Sequence, residues 1–397
     1  LRVADHFITE SGHPAYRDTE YPPGSGKIVK APDLRAVAQS VGKSSRKNCG
    51  ACHFYGGGGD AVKHGDIDSS LIAPKHYLDV HMEKDGLNFT CATCHKTSGH
   101  EIPGSRYTPL AVDQHPEEHM RGKADKNPAS CQACHKSEPH KSARLNMHTA
   151  KIACQTCHIP EFARGGKPTK LLWDWSTAGK LDENGKPYTK LDSGGHVSYD
   201  TRKGDFIYEA NVIPEYAWLN GDVTYTLRET KLDPGNVVKI NQFGGSAEDG
   251  RSKIWPLKVF HGKQPYDSAN NQLVVFHTFG KDDSAFWSNF NWDKAMDFGM
   301  KSIGAEYSGK YGFVETEMSW PIAHMVAPKE DALSCSQCHA PTMGVGRLDK
   351  VPGIYIPGRH ANEWLNKLGW ALAALSLFGV IVHGGLRLIM ARKGAGK

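Results

Sequence analysis

The chain has 397 residues and is 39% hydrophobic, with a dense apolar block in its last thirty-five residues, so the remainder is poor in aliphatic side chains for its size. A purely protein core would be thin, and large apolar cofactors are expected to fill the interior. The formal charge of +5 would suit an acidic partner, and 22 prolines and 42 glycines spread along the chain predict few long helices or strands.

Residue 1 is Leu and no apolar signal core opens the chain, so a mature, exported sequence is expected. Residues 1–48, with Pro14-Ala-Tyr16, Tyr21-Pro-Pro-Gly24 and Ala31-Pro-Asp33, predict an extended N-terminal arm. Residues 49–160 then repeat one pattern four times: Cys49-Gly-Ala-Cys52-His53, Cys91-Ala-Thr-Cys94-His95, Cys131-Gln-Ala-Cys134-His135 and Cys154-Gln-Thr-Cys157-His158. A fifth copy, Cys335-Ser-Gln-Cys338-His339, uses the last of the ten cysteines. About 0.01 such motifs would arise by chance.

Two thiols three positions apart can add to the two vinyl groups of one haem, and the adjacent histidine then lies beneath the iron. Structural zinc leaves the histidine after every second cysteine unexplained, and a disulfide across two residues is strained and leaves it unexplained as well. Five covalently bound c-type haems are therefore expected, with His53, His95, His135, His158 and His339 as proximal ligands. Their propionates add about ten negative charges, so the loaded protein is acidic and no nucleic-acid role follows. The short spacing of the first four motifs predicts that the haems themselves form the core of residues 49–160.

Four histidines precede a motif closely: His81, His119, His148 and His324. His100 and His140 each follow a proximal histidine by five residues and compete with them. These six are the candidate sixth ligands, each free to reach its own haem or a neighbouring one, and histidine on both faces suits electron transfer rather than substrate binding. The first motif differs, because upstream it has only the distant His6 and His13. Downstream come four glycines, then Lys63 and His64; either side chain could ligate the first haem, which could also keep an open face. The bland alternative is a flexible loop with Lys63 solvated.

Residues 161–330 lack cysteine and carry Trp173, Trp175, Trp218, Trp255, Trp287, Trp292 and Trp320, which predicts a connecting region packed on the haems. A fifth-haem region at 331–362 follows. Residues 368–386 contain no Asp, Glu, Lys or Arg, which predicts a transmembrane helix over 363–391. Trp364 and Trp370 would sit at the outer interface, and Arg387, Arg392, Lys393 and Lys397 would hold a tail at 392–397 in the cytoplasm. His383 lies inside the span, as a hydrogen-bonding residue or beside a quinone or b-type haem of a partner. The expected fold is that of a multihaem cytochrome c: mainly short α-helices and coil around a haem core, few short strands, and one C-terminal transmembrane helix.

The run Cys49-Gly-Ala-Cys-His-Phe-Tyr-Gly-Gly-Gly-Gly-Asp-Ala-Val-Lys-His-Gly-Asp, with residues 154–164, 173–179, 253–266 and 320–335, resembles the octahaem tetrathionate reductase family of multihaem cytochromes. The resemblance covers most of residues 49–340. It implies a lysine ligand on an active-site haem, which motif context places at Lys63 on the haem of Cys49 and Cys52. The chain departs from the family in having five motifs rather than eight and an added membrane helix, so tetrathionate reduction does not carry over.

These features predict an electron relay on the periplasmic face of the inner membrane, single-pass, with its C-terminus cytoplasmic. Expected partners are membrane lipid, an integral-membrane cytochrome b-like or quinone-reactive subunit met through the C-terminal helix, and a periplasmic redox enzyme or carrier. The alternative is a membrane-bound reductase or oxidase of a small sulfur or nitrogen compound, working at the first haem through Lys63.

Overall fold

The computed structural model describes residues 5–9, 14–20, 24, 26–96, 129–340, 344–357 and 363–394. The chain divides into two units, 1–45 and 46–397. In the first, Asp5–Ile8 pairs antiparallel with Pro14–Arg17, and Thr19–Glu20 with Ile28–Val29. A helix over Leu34–Gln39 follows, its first turn capped by the Asp33 side chain on the N–H groups of Arg35 and Ala36.

The second unit overturns the expectation of a mainly helical fold with few short strands. The cysteine-free region builds a nine-stranded mixed sheet: β1 (Thr169–Asp174), β2 (Thr189–Leu191), β3 (Val197–Asp200), β4 (Gly204–Glu209), β5 (Glu215–Leu219), β6 (Val238–Lys239), β7 (Lys253–Asp267), β8 (Gln272–Leu273) and β9 (Tyr311–Pro321). The main path runs β6-β9-β7-β1-β4-β3-β2, with β5 and β8 also paired to β7. The β6–β9 and β7–β1 pairs are parallel and the others antiparallel.

The spine is β7, 15 residues long, which lies against β9 from Leu257 to Asp267. It accommodates Pro256 and Pro265 because each stands where only one neighbouring strand is registered. Pro256 faces β5 just beyond the end of the β9 ladder, and Pro265 faces β9 between the stretches that pair with β1 and β8. A residue without an N–H fits a strand where no partner asks for one. The prolines therefore limit how the sheet is flanked, not how long its spine is.

Burial on the sheet is aromatic and aliphatic together. Ala153, Leu219, Trp255 and Leu257 form one cluster; Phe286, Trp292, Ala295 and Met296 form another. Trp292, Ala295 and Met296 of the latter belong to a helix over Trp292–Ser302, whose Asn291 side chain caps the Lys294 N–H, and Phe286 to a short helix over Phe286–Asn289. On β1, Lys170 is buried with its Nζ 4.1 Å from the ring centre of Trp173 and 4.2 Å from that of Phe206. Burial, then the nearby Lys203, pushes this amine down to about 8.

The chain ends in a helix over Glu363–Gly394, 32 residues or about 48 Å of rise. Its segment Trp364–Arg392 is long and apolar enough to cross a membrane, and none of its most apolar stretch is buried against the protein.

Candidate haem sites

The second, third and fifth motifs are held as single tight turns, while the first ends a helix over Arg46–His53. His95 N–H donates to the Cys91 carbonyl at 2.8 Å, His135 N–H to Cys131 at 2.9 Å and His339 N–H to Cys335 at 2.7 Å. Residues i, i+3 and i+4 of such a turn share a face, so both thiols and the imidazole point toward the same side. The fourth motif is pinned on the sheet: Ala153 N–H and Thr156 Oγ1–H both donate to the Ile254 carbonyl of β7, at 3.0 and 2.7 Å.

Thiols of successive motifs approach one another in chain order. The Cys91 thiol lies beside that of Cys49, and Cys131 beside Cys154, with all four cysteines free. Cys94 lies within electrostatic reach of Cys134, and Cys157 of Cys338 and Cys335. As a free thiol Cys157 is pushed up to about 12 by burial first and by these neighbours second. The motifs thus form a row from first to fifth.

Four predicted sixth ligands lie opposite four motif histidines, one to one. Ring centroids are 6.0 Å apart for His81 and His135, 6.2 Å for His324 and His95, 6.1 Å for His140 and His158, and 6.2 Å for His148 and His339. An iron with an imidazole nitrogen about 2.0 Å away on each side would set two ring centroids on the order of 6 Å apart, so these gaps fit a bound haem. In every pair the second histidine faces a motif other than the one it stands beside in sequence. His100 and His119 lie outside the described residues.

Two of these rings are oriented from behind, by residues that carried no sequence signal. The Nδ1–H of His324 donates to Asp66 Oδ2 at 3.0 Å, and His140 Nδ1 lies 3.2 Å from Asn146 Oδ1. Such a bond at Nδ1 leaves Nε2 free for a metal. Burial alone would raise the Asp66 carboxyl, but the His324 ring holds it below the usual carboxylate range.

The first motif is arranged differently. Among the described residues no imidazole faces His53. Lys63 is half-buried, and its stem packs on Gly56 and Gly57, where a Cβ would come within 3.3–3.5 Å of it. Gly57 and Gly58 have φ of +78° and +96°, which the turn requires of glycine. His64 turns away toward Trp320, edge to face at 6.2 Å, and burial pushes it down to about 4. Beneath this loop the fully buried Lys258 of β7 donates from Nζ to the carbonyls of Val62 at 3.1 Å and Lys63 at 3.0 Å, and to Thr169 Oγ1.

Several buried donors around the row have no hydrogen-bond acceptor within the protein: Trp255 Nε1, Trp320 Nε1 and Arg164 Nε. Buried donors ordinarily have partners, so these fit a cofactor that brings its own acceptors, as haem propionates do. No signal in the sequence marked Asp66, Asn146 or Lys258; their roles depend on approach across the fold.

Comparisons with known proteins support covalently bound c-type haems. The family described as "Cytochrome c bacterial" matches residues 170–342. The crystal structure of an octaheme cytochrome c from Shewanella oneidensis is similar at 39% identity with a TM-score of 0.70, over 85% of this chain and 74% of that one. An uncharacterized protein of Archaeoglobus fulgidus is 33% identical over 77 residues, 19% of this chain; the chain spans a quarter of that protein's length.

Proposed function

Because the chain belongs to the multihaem c-type cytochromes, we propose that it is a membrane-anchored pentahaem electron relay. It would link a quinone-reactive or cytochrome b-like membrane subunit to a periplasmic redox enzyme or carrier. The observation that carries this reading is the one-to-one pairing of His81, His324, His140 and His148 with four motif histidines. Bound haem irons supply one-electron chemistry, and the protein tunes it by ligand identity, hydrogen bonding and burial.

The chain's own contribution is placement. Thioether formation at Cys49/Cys52, Cys91/Cys94, Cys131/Cys134, Cys154/Cys157 and Cys335/Cys338 would fix five haems in a row. Paired imidazoles would close four irons to outside ligands. The fifth motif is followed within the next 25 residues by the C-terminal helix, which supports a membrane-proximal end for the row. The cations after the apolar stretch, Arg387 and Arg392 among them, support a cytoplasmic C-terminus and a periplasmic haem region.

A second reading has its own observation: among the described residues no imidazole lies opposite His53, and Lys63 stands on the loop beside it. In that reading the first haem is the working site of a reductase or oxidase of a small sulfur or nitrogen compound. Low-temperature EPR of the oxidised protein, with and without cyanide, separates the two. Five low-spin signals indifferent to cyanide would support the relay. A high-spin signal lost on adding cyanide would refute a purely closed chain of irons and move the function to the first haem.

A further inference from the structure

Asp66 is buried, 2% exposed, and its Oδ2 accepts three N–H groups from one short stretch of chain just past β9. These are the backbone N–H of Ala323 at 2.9 Å, the backbone N–H of His324 at 3.0 Å and the ring Nδ1–H of His324 at 3.0 Å. The carboxylate therefore fixes both the position of the His324 backbone and the direction of its ring. The His324 ring faces His95 at 6.2 Å.

Asp66 also closes a short strap. Three residues earlier stands Lys63, beside the first motif, and the carbonyls of Val62 and Lys63 are bonded by the buried Lys258. Between them Gly65 passes so close to Phe162 that a Cβ would lie 2.2 Å from the ring, and its carbonyl accepts the Ala163 N–H at 2.6 Å. Residues 62–66 are thus tied down at both ends and in the middle, which is more than a surface loop needs.

We propose that Asp66 is a positioning residue for the iron held between His95 and His324, and that residues 62–66 join the surroundings of the first haem to an axial ligand of the second. The proposal rests on the bis-imidazole reading of that second site. A plain buried ion pair is the competing account, but it would place protons on both ring nitrogens and leave His324 without a lone pair for iron. With the Nδ1–H given to a carboxylate, Nε2 becomes a stronger donor, and a stronger donor favours the oxidised iron. Asp66 therefore lowers the potential of the second haem without touching it.

The test is a redox titration of the full-length holoprotein, followed by EPR and visible spectra, for the wild type, Asp66→Asn, Asp66→Glu and His324→Met. Asp66→Asn keeps an acceptor oxygen and removes the charge. It should retain five haems and raise one midpoint potential, that of the same haem whose spectrum changes in His324→Met. Asp66→Glu should return that potential toward the wild-type value. Unchanged potentials in Asp66→Asn, with His324→Met still altering one haem, would overturn the role of Asp66 alone. If His324→Met alters no haem, the bis-imidazole reading itself fails. Should Asp66→Asn not load its haems, wild-type protein labelled with 15N-histidine decides: one axial Nδ1 with carboxylate-bound character supports the proposal, and its absence from every haem refutes it.

Discussion

The imidazole of His140 lies parallel to that of His158, 6° apart in plane with centroids 6.1 Å apart. His95 and His324 are tilted by 31°, whereas His81 crosses His135 at 72° and His148 crosses His339 at 66°. Parallel imidazoles split the two iron d orbitals that mix with their π systems, while crossed ones leave these orbitals nearly degenerate. Two haems should accordingly give rhombic low-spin EPR signals and two should give a single large g value. Four rhombic signals would contradict the ligand geometry.

Replacing one sixth ligand should act on one haem only. His81→Met should raise the midpoint potential of the haem on Cys131 and Cys134, by on the order of 0.1 V, because thioether sulfur favours the reduced iron. Haem attachment should be intact, since the thioether cysteines are untouched. A titration identical to the wild type would show that His81 is not a ligand.

The buried Lys170 predicts a pH dependence of stability. Its folded pKa, about 8, lies below the ordinary lysine value, so between the two the unfolded chain binds the extra proton and stability rises with pH. The Trp173 and Phe206 faces offset part of the desolvation, leaving a gain of roughly 1–3 kcal/mol across that window. Lys170→Met should flatten this rise. Denaturant melts of both proteins from pH 7.5 to 10.5 would show it, and parallel curves would remove Lys170 as the cause.

Removing the C-terminal helix tests the anchor. A chain stopped after residue 357 should carry all five haems and leave the membrane fraction, since no part of the apolar stretch is buried against the haem-bearing unit. Haem staining of membrane and soluble fractions reads the result; a truncated protein still pelleting with membranes would point to another anchor.

The sequence made the haem sites legible because their chemistry is local: two thiols and an imidazole must sit on one turn, so the spacing is visible. The candidate sixth ligands are visible as histidines close to motifs, but which motif histidine each one faces is not. His324 stands eleven residues before Cys335 yet faces His95, a choice made by where β9 ends in space. Asp66 and Lys258 were hidden for the same reason, as each acts on backbone or rings distant in sequence. The large sheet is not foreseen, because glycines and prolines spread along the whole chain predict few long strands. In β7 the prolines fall where the ladder is one-sided, so strand length survives them.

The crossing of ligands between motifs also orders the making of the protein. Translation produces His95 well before His324, so in the proposed ligation a haem joined early to Cys91 and Cys94 would begin its life with a bare face. With His324 as its sixth ligand, that face would close only when β9 has taken its place and carried His324 across. In the proposed ligation, a lesion in β9 would therefore damage a haem whose own motif is intact.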